Sequence, residues 1–109
     1  MFGGLEKLIG AQIESVSRDM QRAADELRIM ELEASAGGGA VKVRVTGLGE
    51  ILSVKIDPAV VQDGDVELIE DLVCAGVREA LRKTGEIKRE RILKALPFGG
   101  MGLQLPDLL

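Results

Sequence analysis

The residues best suited to a chemical role are the basic side chains near the C-terminal end of the chain. Residues 78 to 94 contain seven bases, namely Arg78, Arg82, Lys83, Lys88, Arg89, Arg91 and Lys94, and three acids, namely Glu79, Glu86 and Glu90. Guanidinium and ammonium groups bind phosphate oxygens through charge-assisted hydrogen bonds. This segment therefore predicts contact with a phosphate-bearing polyanion.

Acids four residues away on a helix neutralise some of these bases. The expected pairs are Glu79 with Lys83 and Glu90 with Lys94, whereas Arg89 is intermediate because an acid lies one turn before it. The predicted nucleic-acid contacts are Arg78, Arg82, Lys88, Arg89, Arg91 and Lys94, of which Arg78, Arg82, Lys88 and Arg91 are the least compensated. The alternative for each base is a solvated helix face.

Other chemistries find little support. Without histidine, no Ser-His or Cys-His pair exists, and a metal site would consist of carboxylates alone. Asp63-Gly64-Asp65 lacks the remaining ligand spacing of a calcium loop, and Cys74, set among apolar residues, is expected to be a small buried side chain. The sequence therefore predicts no catalysis, no metal, no cofactor and no small-molecule substrate.

The composition restricts the kind of nucleic acid that the chain could bind. There is no Trp or Tyr, and both phenylalanines lie near the termini, so the chain offers no stacking platform for single strands. Binding should involve duplex phosphates and depend on salt. The net charge of -4 argues mildly against nucleic acid and keeps open a dimeric protein–protein interaction module without DNA affinity.

The element expected to position these bases is a β-hairpin over residues 40 to 57. Three valines alternate with polar residues, and the alternation resumes after a four-residue loop, as in half-buried strands. The predicted cross-strand pairs are Val45 with Leu52, Val43 with Val54, and Val41 with Ile56. Their apolar face must be covered by another part of the protein.

A preceding strand is predicted from the alternation around Leu32, followed by a turn at residues 36 to 39. This turn places Glu33 opposite Lys42 and Glu31 opposite Arg44. Opposite charges across strands favour this register. Lys42 and Arg44 are thereby interpreted as sheet partners rather than DNA contacts.

Two long helices complete the pattern. Apolar residues at heptad spacing run from Ile9 to Met30, as on a helix that packs along another helix, and a final helix is predicted from Val66 to Leu96 with Asp65 as its N-cap. The length fits a single α+β domain over residues 1–96, ordered α-β-β-β-α with a three-stranded antiparallel meander. Residues 97–109, rich in Gly, Pro and Leu, are expected to form a flexible tail.

The order of these motifs resembles the YbaB/EbfC family of bacterial nucleoid-associated DNA-binding proteins. The resemblance covers nearly the whole chain, from MFGGL through AVKVRVTGLGEILSVKIDP to EDLVCAGVREAL. It implies a homodimer with a shared sheet that binds duplex DNA with loose sequence preference in the cytoplasm, at the nucleoid and away from membranes. It supplies no catalytic residues, and residues 11 to 20 depart from the Gln/Met/Lys-rich helix often found in members.

Overall fold

The computed structural model describes residues 3–96, and the predicted tail at residues 97–109 lies outside them. The elements are α1 (Gly3–Ile29), β1 (Glu31–Ala36), β2 (Val41–Thr46), β3 (Ile51–Ile56), α2 (Pro58–Gln62) and α3 (Val66–Ala95). The strands form one antiparallel sheet in the order β1-β2-β3. The predicted α+β class and element order are confirmed. No helix within residues 3–96 is long and apolar enough to cross a lipid bilayer.

Aspartate side chains set the start of the two C-terminal helices. Asp57 Oδ1 accepts a hydrogen bond from Ala59 N at 3.0 Å, and Asp65 Oδ1 accepts one from Leu68 N at 3.0 Å. Each carboxylate satisfies a backbone donor that has no partner inside its helix. The N-cap predicted for α3 is therefore confirmed, and α3 begins at Val66 as expected.

The core lies between α3 and the first two strands. Val41, Val43 and Val45 on β2 are fully buried. Gly76 on α3 faces them so closely that a Cβ there would lie 3.1 Å from Val43 Cγ2. The missing side chain lets the helix backbone approach the sheet, and Ala80 continues the contact one turn later with no exposed surface.

The third strand remains largely uncovered. Ile51, Leu52 and Val54 on β3 are 41%, 42% and 39% exposed. Because α3 packs against β1 and β2, most of β3 lies beyond the edge of the helix. The predicted apolar face therefore exists, but this chain covers only its β1–β2 part.

One predicted pair between β2 and β3 is wrong. Val41 faces Ile56 and Val43 faces Val54 as expected, but Val45 faces Ile51 instead of Leu52. A β-bulge on β3, opposite the step from Arg44 to Val45, causes this shift, because Leu52 is an extra residue without a partner on β2. Strand alternation alone carries no signal for such an insertion.

The predicted register between β1 and β2 is also wrong, by two residues. Glu33 faces Arg44, and Lys42 faces Ser35. The turn occupies residues 37 to 40 because all three glycines have positive φ, between 63° and 95°, so Ala36 stays in the strand. Arg44 still forms an ion pair with Glu31, now as its diagonal neighbour.

The end of α1, the β2–β3 turn and the middle of α3 meet at one point. Thr84 Oγ1 donates to Thr46 O at 3.1 Å, and Gly47 N donates to Met30 O at 2.9 Å. A Cβ on Gly47 would lie only 2.8 Å from Leu27 O, so this position has no room for a side chain. These contacts fix where α1 and α3 leave the sheet.

The two long helices are only partly covered. On α1, Ala23 and Leu27 are buried, whereas Ile9 and Ile13 earlier in the heptad series are 52% and 64% exposed. On α3, the prediction that Cys74 is buried is wrong, because its side chain points away from the stripe that faces the sheet. The heptad pattern is thus satisfied within the chain only at the C-terminal end of α1.

Candidate nucleic-acid interface

The predicted basic residues all lie on α3, but the structure divides them by how each charge is satisfied. Three belong to ion pairs, namely Arg82, Arg91 and Lys94. Arg78 and Lys88 have no carboxylate partner among the described residues. Arg89 is half-buried and takes part in an interaction of its own.

Arg82 is held by acids on both sides. Its guanidinium bonds Glu79 through Nε at 2.9 Å and through Nη2 at 2.7 Å, and bonds Glu86 through Nη1 at 2.5 Å. The bond with Arg82 lowers the pKa of the Glu79 carboxyl, and the two acids raise the pKa of Arg82. The prediction that Arg82 is weakly compensated is therefore wrong.

The expected partner of Glu79 was Lys83, and this pairing is also wrong. Lys83 instead donates from Nζ to the backbone carbonyl of Glu33 at 2.8 Å. Because α3 packs against β1, the ammonium reaches a strand carbonyl that has no donor in the sheet. Tertiary packing thus changes a pairing that helix spacing alone predicts.

Arg91 connects the two long helices. Its Nη1 lies 2.8 Å from Glu26 Oε2 on α1, so the prediction that Arg91 is weakly compensated is wrong. The pair lies beside a cleft of about 300 Å³ that both helices line and that also contains Arg22. Helix spacing predicts that Arg22 pairs with Glu26 on a solvated face of α1, but Glu26 forms its ion pair with Arg91, and only the packing of α1 on α3 brings Arg22 near that arginine.

The predicted pairing of Lys94 with Glu90 is confirmed. Its Nζ lies 2.9 Å from Glu90 Oε1, four residues earlier, and this bond lowers the pKa of the Glu90 carboxyl. Both side chains are more than half exposed, so the pair is weakened by water and salt. Such a lysine remains able to exchange its carboxylate for a phosphate.

The two bases without a carboxylate lie in different surroundings. Arg78 is exposed, and its only described hydrogen bond is a weak one from Nη2 to Cys74 Sγ at 3.5 Å. Lys88 lies at the rim of an apolar groove of about 420 Å³, lined also by Met20, Leu48 and Ile92 among others. These two groups are the ones most readily available to an anion on α3.

The potential metal ligands of the described part of the chain are dispersed. Within residues 3–96, no group of three or more potential ligand residues could hold a metal ion. The structure thus presents a small α+β protein whose distinctive surface is a long helix with a basic C-terminal half.

Comparison with known proteins identifies the family. The model of the YbaB/EbfC DNA-binding family matches residues 2–101, and the chain belongs to this family. A nucleoid-associated protein of Acetivibrio thermocellus is 45% identical over 101 residues, covering 93% of this chain and 88% of that protein. Another, from Thermodesulfovibrio yellowstonii, is 38% identical over 109 residues, covering 99% of this chain and 90% of the relative.

A solved structure supports the fold. The crystal structure of an uncharacterized protein from Helicobacter pylori matches with a TM-score of 0.68 and 18% identity, covering 74% of this chain and 85% of that one. At this identity the likeness concerns the fold alone.

Proposed function

We propose that this protein is a nucleoid-associated protein that binds duplex DNA as a homodimer, mainly through phosphate contacts and with little sequence preference. Membership of the DNA-binding family carries the proposal, together with curated relatives named as nucleoid-associated proteins. Its setting is the cytoplasm, at the nucleoid, and no step in it requires a catalytic residue.

The basic half of α3 supplies the contact surface in this proposal. Arg78 and Lys88 are the primary contacts, because neither has to leave a carboxylate before it binds a phosphate. Arg82, Arg91 and Lys94 are secondary contacts, since each must first exchange an acid for the ligand. Phosphates occur in every sequence, so such contacts position the protein without selecting bases.

Exposed apolar surface supports the homodimer. Ile51 and Val54 on β3 are uncovered, as are Leu5, Ile9 and Ile13 on α1. Exposed apolar side chains grouped on one strand and along one helix are typical of protein interfaces. On β1, by contrast, Lys83 caps a backbone carbonyl, so further strand pairing is favoured at β3. A second copy joined there would share the sheet and present the basic helices twice.

Fluorescence anisotropy with a labelled duplex, at several salt concentrations, tests the proposal. We expect binding at low salt and a linear fall of log affinity with log salt. Replacing Arg78 and Lys88 by Gln should reduce both the affinity and the salt slope. The matched variant Arg82→Gln/Arg91→Gln removes the same formal charge but only bases held by acids, so its effect should be smaller. Equal effects would show that the division by ion pairing is wrong.

The second candidate is a dimeric interaction module without DNA affinity. It is favoured by the net charge of -4 and by the apolar groove between α1 and α3, which Leu27 and Leu48 line. The same titration separates the two functions. Absence of binding to duplex DNA at low salt and micromolar protein would reject the first function and leave the second. Sedimentation at micromolar concentration tests the dimer, and a stable folded monomer would contradict it.

A further inference from the structure

The outer face of the sheet brings two lysines together without an acid between them. Lys42 on β2 and Lys55 on β3 are direct partners in the antiparallel register. Directly opposite residues in such a pair project from the same face, and like charges there repel each other. Both side chains are exposed, and neither ammonium has a hydrogen bond or ion pair within the described chain.

The nearby acids lie on the neighbouring strand β1. Glu31 forms its ion pair with Arg44, and Glu33 faces the same arginine, so both acids lie on the β1 side of the face. The strand partner of Lys42 on that side is the neutral Ser35. The sheet face is therefore divided, with its acids on β1 and the two lysines across β2 and β3.

One further acid lies beside the lysines but has another role. Asp57 lines the same shallow cavity, where its Oδ1 accepts the backbone hydrogen bond that caps α2. Counting Asp57, the cavity still has an excess of one positive charge. Its volume is about 220 Å³, and Gly39 and Ile56 complete its wall. The site is open to solvent and large enough for a phosphate group.

We infer that Lys42 and Lys55 together bind a phosphate of duplex DNA, giving the protein a second DNA-contact surface on the sheet, separate from α3. The inference rests on the proposed DNA-binding function and adds residues to it. A phosphate between the two ammonium groups replaces their mutual repulsion by two attractive contacts. The repulsion in the free protein thus favours binding, because the ligand removes it.

This arrangement predicts opposite effects on stability and on binding. Replacing both lysines by Gln removes the repulsion, so the thermal midpoint of the free protein should rise or stay unchanged. The same variant should bind duplex DNA less tightly. Loss of one phosphate contact per chain lowers the slope of log affinity against log salt by about 0.9, because each neutralised phosphate contributes about 0.9. Between about 50 and 200 mM salt, this corresponds to about 3.5-fold less change in affinity per chain.

The experiment compares Lys42→Gln/Lys55→Gln with two control variants in the full chain. Lys42→Arg/Lys55→Arg keeps both charges and should retain the affinity and slope of the wild type. Lys7→Gln/Arg18→Gln removes the same formal charge from exposed positions on α1 and should have the smaller effect. Anisotropy with one labelled duplex gives the affinities, and thermal unfolding without DNA gives the midpoints.

The outcomes separate this inference from the function on which it rests. Unchanged affinity and slope in Lys42→Gln/Lys55→Gln, with a wild type that binds DNA, would overturn the inference alone. Losses equal to those of the α1 control would also overturn it, since total charge would then explain both. A wild type that fails to bind DNA at low salt would reject the proposed function and the sheet surface together.

Discussion

Arg82 offers the sharpest test of the view that ion pairs restrain the DNA contacts of α3. Glu79 and Glu86 hold its guanidinium through three hydrogen bonds of 2.5–2.9 Å. Replacing both acids by Gln preserves their shape and removes their charge. Arg82 then no longer has to leave two carboxylates before it binds a phosphate. We expect the variant Glu79→Gln/Glu86→Gln to bind duplex DNA more tightly than the wild type.

The size of the effect follows from counting contacts. One additional phosphate contact per chain steepens the slope of log affinity against log salt by about 0.9. Lowering salt from about 200 to 50 mM should therefore increase the advantage of the variant over the wild type by about 3.5-fold per chain. In a homodimer that engages both copies, the change in slope would be about 1.8.

The assay is a salt series of anisotropy titrations with one labelled duplex. Glu67→Gln/Glu70→Gln is the matched control, because it removes two acids from the other end of α3, where neither forms an ion pair with a described residue. Its effect should be limited to that of net charge. A slope for Glu79→Gln/Glu86→Gln equal to that of the wild type or of the control would refute the reasoning, because Arg82 would then contribute nothing when released.

Three further predictions concern the elements that hold the interface. Gly47→Ala should lower the free energy of unfolding by about 1–3 kcal/mol, since its Cβ would meet Leu27 O at 2.8 Å; an unchanged denaturation midpoint would contradict this. Thr84→Val should cost about 0.5–1.5 kcal/mol by chemical denaturation, because it removes the bond to Thr46 O, and Thr84→Ser should restore most of it. The pKa of Glu90 is lowered by its hydrogen bond with Lys94, so the ionised carboxylate stabilises the fold above the ordinary value of 4.5, and this contribution is lost as the pH falls through the lowered pKa. Glu90→Gln should therefore flatten the fall of the thermal midpoint between about pH 5 and pH 3. An equally steep fall in the variant would reject the assignment.

The sequence predicted the elements well because their signals are local. Alternating valines defined β2, and Asp65 marked the start of α3. The α-β-β-β-α order was confirmed for the same reason. The boundary errors arose where a local pattern admits more than one register. The alternation did not distinguish a turn at residues 37 to 40 from one at residues 36 to 39. The bulge on β3 likewise left no trace in the alternation.

The candidate site was only partly predictable. Helix spacing correctly paired Lys94 with Glu90, because both lie on one helix, four residues apart. It failed for Arg91 and Lys83, whose partners are on α1 and β1, far away along the chain. A base that has several acids within reach chooses among them by geometry, and that geometry exists only after packing.

By itself, the sequence determined the types and order of the elements, the basic character of the C-terminal half of α3 and the lack of stacking aromatics. These properties depend on composition and on periodicities of two and three to four residues. Only the tertiary structure decided which charges are satisfied. The register of a sheet and the contact between helices place distant residues side by side, and this placed Arg91 with Glu26 and left Lys42 facing Lys55.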